Sequence, residues 1–531
     1  MSTFAPTVSK NWRVSAASAM SKYGLVAVQF FALLLALKIN RKIEWLAPSL
    51  WILFPISLSA ALARAKYDDA AKPVVKLWKL IGFLSAVYSL IHYPLIPAAE
   101  GMHGRHVLFL ALWISSIAAG ALCFRFPNLA IIPPAFLLWS INEAQIITGL
   151  AITVNIDVAP LTAVSMCIGL GLLIDQCSRR YSARTSDAPK FVGLLFLLAV
   201  AVHLANYFWS FVAKLQLDHA PLLWLTENNP AALFLVALDD DHVLFSAYPF
   251  IVEWIYRIMD QTYLVANFFI LVIQGTALLA IFLPKRLLVL LLIAFDLMHA
   301  SLIVVGGLNF WPWIMLNLLI AYVVIKTPIS DSVLVKLAAT AFIVVAPRFV
   351  SITQLGWLDS SANNKLSFEA IDKNGKRYRV PTNFFTFYSY PLGHMDYGLP
   401  DPRIGFEVGS PNGGVYTKGL LEAGRSCDMA ALERRPEMFP FKSEPLAVFI
   451  RNYHHAALSF YRALGAFPYD LYPHHFYVPL STGADFRGLN KSDIVAYIYK
   501  QETVCLSFSG GHPQRKLIAS TEYRIDVDAD R

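Results

Sequence analysis

The chain has 531 residues, of which 56% are hydrophobic and only 15% are charged. A soluble domain usually carries about 25% charged residues, so this composition excludes a soluble enzyme, a disordered regulator and a nucleic-acid-binding protein as descriptions of the whole chain. The deficit is uneven, because 39 of the last 176 residues are charged against 41 of the first 355. The sequence therefore predicts a membrane part followed by a water-soluble part.

The membrane part contains apolar segments that approach the roughly 20 residues needed to cross a bilayer. They lie at 23–40, 45–64, 78–98, 106–125, 129–152, 158–175, 191–213, 262–283, 287–308, 310–326 and 334–352. Residues 1–22 are polar and contain no cleavable signal sequence, so we expect a cytoplasmic N-terminal segment there. The predicted fold is a polytopic α-helical membrane protein with about 11 transmembrane helices over 23–352, followed by a soluble α+β domain over 356–531.

One apolar stretch, residues 222–259, is interrupted by Pro230 and by Asp239–Asp241. We therefore expect an external loop with interfacial helices rather than another crossing. The stretch contains aromatic residues of the type found at membrane–water interfaces, namely Trp224, Tyr248, Trp254 and Tyr256.

Lysine and arginine residues in the loops predict the orientation, since cytoplasmic loops carry an excess of both. Three basic loops fall on one side when eleven helices are counted, and they contain Arg64, Lys66, Lys72, Lys76, Arg179, Arg180, Arg184, Lys190, Lys285 and Arg286. The loop at Arg41-Lys42 is the exception. We expect a cell-membrane protein (inner membrane in a Gram-negative cell) with its N-terminus and the loop 176–190 in the cytoplasm, and its C-terminal domain outside.

The soluble part shows alternating strand patterns and one amphipathic helix. Residues 366–380 predict a hairpin with a type I′ turn at Asn374-Gly375, because Asn-Gly tolerates the positive φ values of that turn. Further strands are expected at 494–500, 503–508 and 516–527, and a helix at 443–465 that ends at Gly465.

The soluble part also contains an aromatic segment, two histidine pairs and two cysteines. The aromatic segment 381–400 is expected to be buried packing, with a substrate groove or membrane-resting loop as the alternative. His454 and His455 point about 100° apart on a helix and cannot easily face one ion. His474-His475 follows a Tyr-Pro turn, and neither pair is expected to hold a metal. Cys427 and Cys505 either form a disulfide in an oxidising compartment or remain buried thiols.

Ionisable residues inside apolar segments are costly and so are candidates for function. His203, Tyr207, Ser210 and Lys214 recur at i, i+4, i+7 and i+11, which places them on one helix face. Asp296 and His299 share a face of another helix, and Glu143 lies in a third. Together they could form a proton-transfer site. The alternatives are that Lys214 extends to water at a helix end and that His203, Glu143 and Asp296 are hydrogen-bonded packing residues.

Two motifs carry a resemblance to a known family. NYFWSFVAKL at 206–215, followed by Trp224, and FDLMHASLIVVGGLNFWPWIML at 295–316 resemble stretches of the vitamin K-dependent γ-carboxylase family, whose bacterial members are often called horizontally transferred transmembrane (HTTM) proteins. The resemblance covers about residues 20–330. It implies a multi-pass helical fold, with Lys214 as the base that acts on a reduced naphthoquinone. Asp296 stands where the carboxylases carry a histidine, and His299 follows one turn later.

The leading hypothesis is an outward-facing membrane enzyme in which a desolvated Lys214 abstracts a proton. His203, Asp296 and His299 would assist catalysis, and Tyr207, Ser210 and Glu143 would bind the substrate, a quinol or an exported peptide. One alternative is a non-catalytic scaffold or accessory subunit whose soluble domain binds an extracytoplasmic partner. The other is a transporter that uses Glu143 and Asp296, although the sequence shows none of the internal repeats frequent in transporters.

Overall fold

The computed structural model describes part of the chain. The described residues are 46–69, 71–91, 103–148, 155–181, 188–217, 222–326, 332–350, 352–356, 358–393, 397–398, 400, 427, 440–470, 475–479 and 482–527. The apolar segment predicted at 23–40, the loop at Arg41-Lys42 and His474 lie outside these residues.

Helices account for most of the structure before residue 350. They are α1 (Leu46–Leu62), α2 (Lys72–Ile91), α3 (His103–Leu122), α4 (Ile132–Thr148), α5 (Asn155–Tyr181), α6 (Ala188–Leu215), α7 (Leu223–Glu227), α8 (Pro230–Asp239), α9 (Pro249–Thr276), α10 (Lys285–Gly306), α11 (Trp311–Lys326) and α12 (Val333–Val345). The coarse fold prediction, a mostly helical chain followed by a domain of helix and strands, is confirmed, and the sheet of that domain is antiparallel.

Five described helices are long and apolar enough to cross a membrane: α2, α5, α6, α9 and α10. Their burial differs sharply. In α5 and α6, 72% of the apolar stretch of 18 residues is buried inside the structure, whereas in α9 and α10 the buried share is 17% and 28%. Helices α5 and α6 therefore form the centre of the helical part, and α9 and α10 lie at its periphery with apolar side chains exposed.

The stretch 222–259 is partly as predicted. Two short helices, α7 and α8, occupy its first half, but α9 begins at Pro249 rather than near 262, so Trp254 and Tyr256 lie inside a long helix. Proline at the first helical position favours this start, because it has no N–H to leave unsatisfied there. Pro230 begins α8 and Asp239 ends it, so the interruption that they predict lies before α9 and not within it. Inside α9, Arg257 pairs with Glu253 one turn away at 2.6 Å.

The C-terminal domain contains a four-stranded antiparallel sheet in the order β2-β1-β3-β4. The strands are β1 (Ala362–Asp372), β2 (Arg377–Arg379), β3 (Ile494–Ser509) and β4 (His512–Asp526). The strands predicted at 494–500 and 503–508 are one strand, in which the register shifts between Thr503 and Val504. The predicted helix is confirmed as Ser443–Leu464, with Gly465 in the left-handed conformation at its C-terminus.

The turn of the β1–β2 hairpin differs from the predicted type I′. Only Gly375 has a positive φ, 80°, and Asn374 does not. The N–H of Gly375 donates to the carbonyl of Asp372, and the Asp372 carboxylate accepts the N–H groups of Asn374 and Lys376. These bonds from Asp372 stabilise a three-residue loop with one left-handed glycine.

The aromatic segment after β2 is buried packing, as expected. Phe384, Phe385 and Tyr388 are at most 3% exposed. They contact Phe449 and Tyr453 of the helix Ser443–Leu464, and the Tyr453 hydroxyl donates to the Phe384 carbonyl at 2.6 Å. The sheet, this segment and the helix therefore share one aromatic core.

Charged residues join the helical part to the sheet. The Lys365 amine of β1 lies 2.9 Å from an Asp239 carboxylate oxygen and 3.0 Å from one of Asp240, and Arg379 pairs with Asp241. Burial alone would raise the pKa of Asp240, but the charges of Lys365, His242 and Arg379 outweigh it and hold that pKa below its ordinary value. The C-terminal end of α8 thus docks on the sheet through paired charges.

Candidate functional site

A cavity of about 250 Å³ lies between α6, α7, α9, α10 and the segment that leads into β1. Its walls are mainly apolar, with a small number of polar side chains, as is common for small-molecule sites. The lining residues include Tyr207, Ser210, Lys214, Trp224, Asn267, Gln274, Met298, His299, Phe310, Trp313 and Asp359.

Most of the polar face of α6 lines this cavity. Tyr207, Ser210 and Lys214 line it, at the i, i+3 and i+7 positions of one helix face. His203 lies one turn deeper, is fully buried and is not among the lining residues. The face predicted from the sequence therefore reaches the cavity over the two turns nearest the C-terminal end of α6.

An extended segment, residues 352–356, which we call the strap, runs along the same face of α6. The N–H of Thr353 donates to Asn206 Oδ1 at 2.8 Å, and the N–H of Leu355 donates to Ser210 Oγ at 3.1 Å. Lys214 Nζ donates to the Leu355 carbonyl at 2.5 Å. The side chains of α6 thus hold the strap backbone through hydrogen bonds at successive turns.

The amine of Lys214 is enclosed rather than extended into water. Its side chain is 6% exposed, and Nζ lies 5.1 Å from the centre of the Trp224 ring. Asp359 lines the same cavity and interacts electrostatically with Lys214. The alternative that Lys214 reaches past the helix end to solvent is therefore not what the structure shows.

Asn317 of α11 joins the polar groups of three helices. Its Oδ1 lies 2.7 Å from His203 Nε2, and its Nδ2 donates to Asp296 Oδ1 at 2.7 Å and to the Tyr207 hydroxyl at 2.8 Å. Asn317 is 0% exposed. Asp296 and His203 are thus connected to the cavity-lining Tyr207 through one amide.

His299 contributes a buried imidazole to the cavity wall. Its ring centre lies 5.3 Å from that of Phe310, 5.5 Å from that of Trp313 and 5.8 Å from that of Tyr207. The His299 Nδ1 and the Trp313 Nε1 have no hydrogen-bond partner among the described residues. Both atoms are available to a polar group of a ligand.

Glu143 does not belong to this site. It is buried on α4, which packs against α1, α2, α3 and α5, and it does not line the cavity. The structure therefore does not bring Glu143 to the cavity that Lys214 lines, and a role for Glu143 in binding stays a prediction.

The pattern of ionisable residues does not include four uncharged amides of the site, Asn206, Asn317, Asn267 and Gln274. Their polarity inside apolar helices was the available signal. Within the described part of the chain, no cluster of three metal-ligating side chains is present, and His454 Nδ1 lies 2.9 Å from the Tyr497 hydroxyl instead. Cys427 and Cys505 are joined by a disulfide, with Cα atoms 5.6 Å apart.

The fold and the cavity together define a class: a helical protein with membrane-length apolar helices, a C-terminal sheet domain and an enclosed lysine in an amphiphilic cavity. Comparisons with family models, curated proteins and solved structures find no match to this chain.

Proposed function

We propose that the chain is a multi-pass protein of the cell membrane, similar to the vitamin K-dependent γ-carboxylase and HTTM family, with about 11 crossings and an extracytoplasmic C-terminal domain. The apolar surface of α9 and α10 supports membrane insertion. Phe268 and Leu297, for example, are 54% and 67% exposed. In a bilayer these side chains would be buried in hydrocarbon, whereas in water they would form an exposed apolar surface.

We further propose that the protein is a membrane enzyme in which Lys214 acts as a base on a quinol or an exported peptide. The observation that carries the proposal is the enclosure of the Lys214 amine in an apolar cavity beside Trp224 and Asp359. A desolvated amine gives up its proton more readily than one in water. Tyr207 and His299 would orient the substrate beside it, while His203 and Asp296 act through Asn317.

The cavity also fits the reduced naphthoquinone that the family resemblance implies. Its walls are mainly apolar, and Trp313 Nε1 and His299 Nδ1, which have no partner in the described part of the chain, would hold the oxygen atoms of such a ring. When bound, the group would supply an acidic hydroxyl. Lys214 would accept a proton, and the aromatic walls would exclude water.

The proposal is tested by complementation of a strain that lacks the gene, with activity normalised to the amount of protein in the membrane. Lys214→Ala and Lys214→Arg should both be inactive, since arginine keeps the charge but stays protonated. The control is Lys326→Arg, at the exposed end of α11, which should retain activity. Wild-type activity in Lys214→Arg would reject the catalytic base.

A second function, a scaffold or accessory subunit, is favoured by one observation: Ser210 and Lys214 hold the strap that leads into the C-terminal domain. In that case Lys214 positions this domain for an extracytoplasmic partner. Lys214→Arg would then function, and a partner protein would co-purify with the wild type. The third function, a transporter that uses Glu143 and Asp296, has no comparable observation in its favour, since Asp296 accepts a hydrogen bond from Asn317 and Glu143 does not line the cavity.

A further inference from the structure

The cavity beside Lys214 opens at one identifiable place. Of its lining residues only Thr262 of α9 and Ser301 of α10 are exposed, and all the others are partly or fully buried. One exposed residue comes from each of the two peripheral helices. The opening therefore lies between α9 and α10.

This opening suits a hydrocarbon environment. The hydroxyl of Thr262 donates to the Ile258 carbonyl and that of Ser301 to the Met298 carbonyl, each at 2.7 Å. Both polar groups are thus satisfied by their own helices and need no water. The same helices expose Val265 and Leu297, at 57% and 67%, which a bilayer would cover.

Inside the opening, α9 presents two hydrogen-bond acceptors. The Asn267 amide nitrogen contacts the backbone carbonyls of Trp224, Leu225 and Asn228, so the nitrogen must face them and Oδ1 must face away. The Gln274 nitrogen has a single, weaker contact, to the Met298 sulfur at 3.7 Å. Asn267 is 1% and Gln274 5% exposed, and neither side-chain oxygen has a partner among the described residues.

The cavity wall thus contains two buried acceptors that have no partner among the described residues, and a ligand can pair with them only through hydrogen-bond donors. Each needs an O–H or N–H group, because a buried acceptor left unpaired is costly. The two residues are seven apart on one helix, which separates them by about 10 Å along the axis. Between them the wall is apolar, with Ile270.

From these observations we infer that the cavity is loaded sideways from within the bilayer, through the opening between α9 and α10, by an amphiphile whose hydrogen-bond-donating groups pair with Asn267 and Gln274. This inference rests on the membrane insertion proposed above and does not require Lys214 to be a base. It identifies Asn267 and Gln274 as the residues that select ligands with a donor over those without one.

Photolabelling of the full-length protein in liposomes tests the inference. The probe is octadecanol carrying a diazirine and an alkyne, and it is compared with its methyl ether, which lacks the donor. The alcohol should label cavity residues about tenfold more than the ether, the usual effect of one buried hydrogen bond. Gln274→Met should reduce that preference.

The route is tested with the same probe. Thr262→Trp and Ser301→Trp should block labelling of the cavity, whereas the matched variants Val265→Trp and Leu297→Trp, on the outer faces of the same helices, should leave it intact. A short water-soluble peptide carrying photo-leucine should not label the cavity.

Equal labelling by alcohol and ether in the wild type would overturn the donor requirement. Cavity labelling by the water-soluble peptide, or no cavity labelling by the alcohol, would overturn sideways loading. Because labelling needs no turnover, an active Lys214→Arg variant would reject the catalytic base without affecting any of these results.

Discussion

Asn317 is chemically suited to its position between α6, α10 and α11. An amide provides one acceptor and two donors, and here all three roles are used, towards His203, Tyr207 and Asp296. Since the amide donates to the Tyr207 hydroxyl, that hydroxyl keeps its own hydrogen for another acceptor. The arrangement leaves Tyr207, which lines the cavity, able to donate to a ligand.

Asn317→Leu should destabilise the protein by about 1–3 kcal/mol, because three buried polar groups lose their common partner. Thermal unfolding in detergent measures the effect. The control is Ser115→Ala, whose exposed hydroxyl bonds to a carbonyl of its own helix, and it should change stability by less than about 0.5 kcal/mol. Equal stability of Asn317→Leu and wild type would contradict the role of Asn317.

For individual residues, the sequence predicted some neighbours in the site and not others. Helical periodicity alone placed Tyr207, Ser210 and Lys214 on one face, because their spacing depends only on α-helix geometry. It could not show that Asn317, 114 residues from His203, meets the same face. It also could not show that Glu143 faces other helices, since the packing order of helices is not encoded in the spacing within any one of them.

The strap, residues 352–356, illustrates how an element without regular structure is fixed by a helix beside it. At Gly356 an added Cβ would lie 2.9 Å from the backbone of Ala213. The strap can therefore approach α6 closely only because this residue is glycine.

Gly356→Ala should displace the strap and weaken the bond from Lys214 to the Leu355 carbonyl, at a cost of about 1–3 kcal/mol. The matched control is Gly488→Ala, where an added Cβ meets nothing within 4 Å. Thermal unfolding compares the two variants. A Gly356→Ala protein as stable as the control would show that the strap is not closely held.

The disulfide Cys427–Cys505 attaches a distant segment to the central strand β3. We expect both cysteines to resist a thiol reagent in the denatured, unreduced protein, while Cys123 and Cys167, which are free thiols, react. Reduction before labelling should make all of them react. Labelling of Cys427 and Cys505 without reduction would contradict the bond and the predicted oxidising compartment.

Helices and strands with a clear hydrophobic periodicity were predicted as the right type of element, but their first and last residues were predicted less accurately. The amphipathic helix Ser443–Leu464 and the strands β1, β3 and β4 appear where alternation and periodicity placed them. The start of α9 was misplaced because the interruption at Pro230 and Asp239–Asp241 was extended to residue 259, whereas these residues lie at the two ends of α8, and α9 starts at Pro249. Composition does not show where such an interruption ends.

For the whole molecule, the predicted topology places residue 190 in the cytoplasm and the C-terminal domain outside. Reporter fusions at Lys190 and Arg531 should therefore report opposite compartments. A fusion at Arg64 serves as the control and should agree with Lys190. The same compartment for Lys190 and Arg531 would reject the count of eleven crossings.

The ion pairs between α8 and the sheet predict how the two parts respond to acid. The pKa of Asp240 is held below its ordinary value, so its contribution to stability is complete above that ordinary value and is lost as the pH falls through the folded value. The difference in unfolding free energy between wild type and Asp240→Asn should be constant above about pH 5 and shrink below about pH 4. A difference unchanged down to pH 2 would contradict the pairing.

The contact between Lys214 and the strap also has a consequence for the order of events during synthesis. Leu355 follows Lys214 by 141 residues, and at about 5–20 residues per second a ribosome needs roughly 7–30 s to cover that distance. Throughout this interval the enclosed lysine lacks the carbonyl that holds it, and the cavity lacks one of its walls. The nascent helical part is thus incomplete until the first residues of the C-terminal domain emerge, so a chain truncated before residue 352 should be a poor starting point for isolating the cavity.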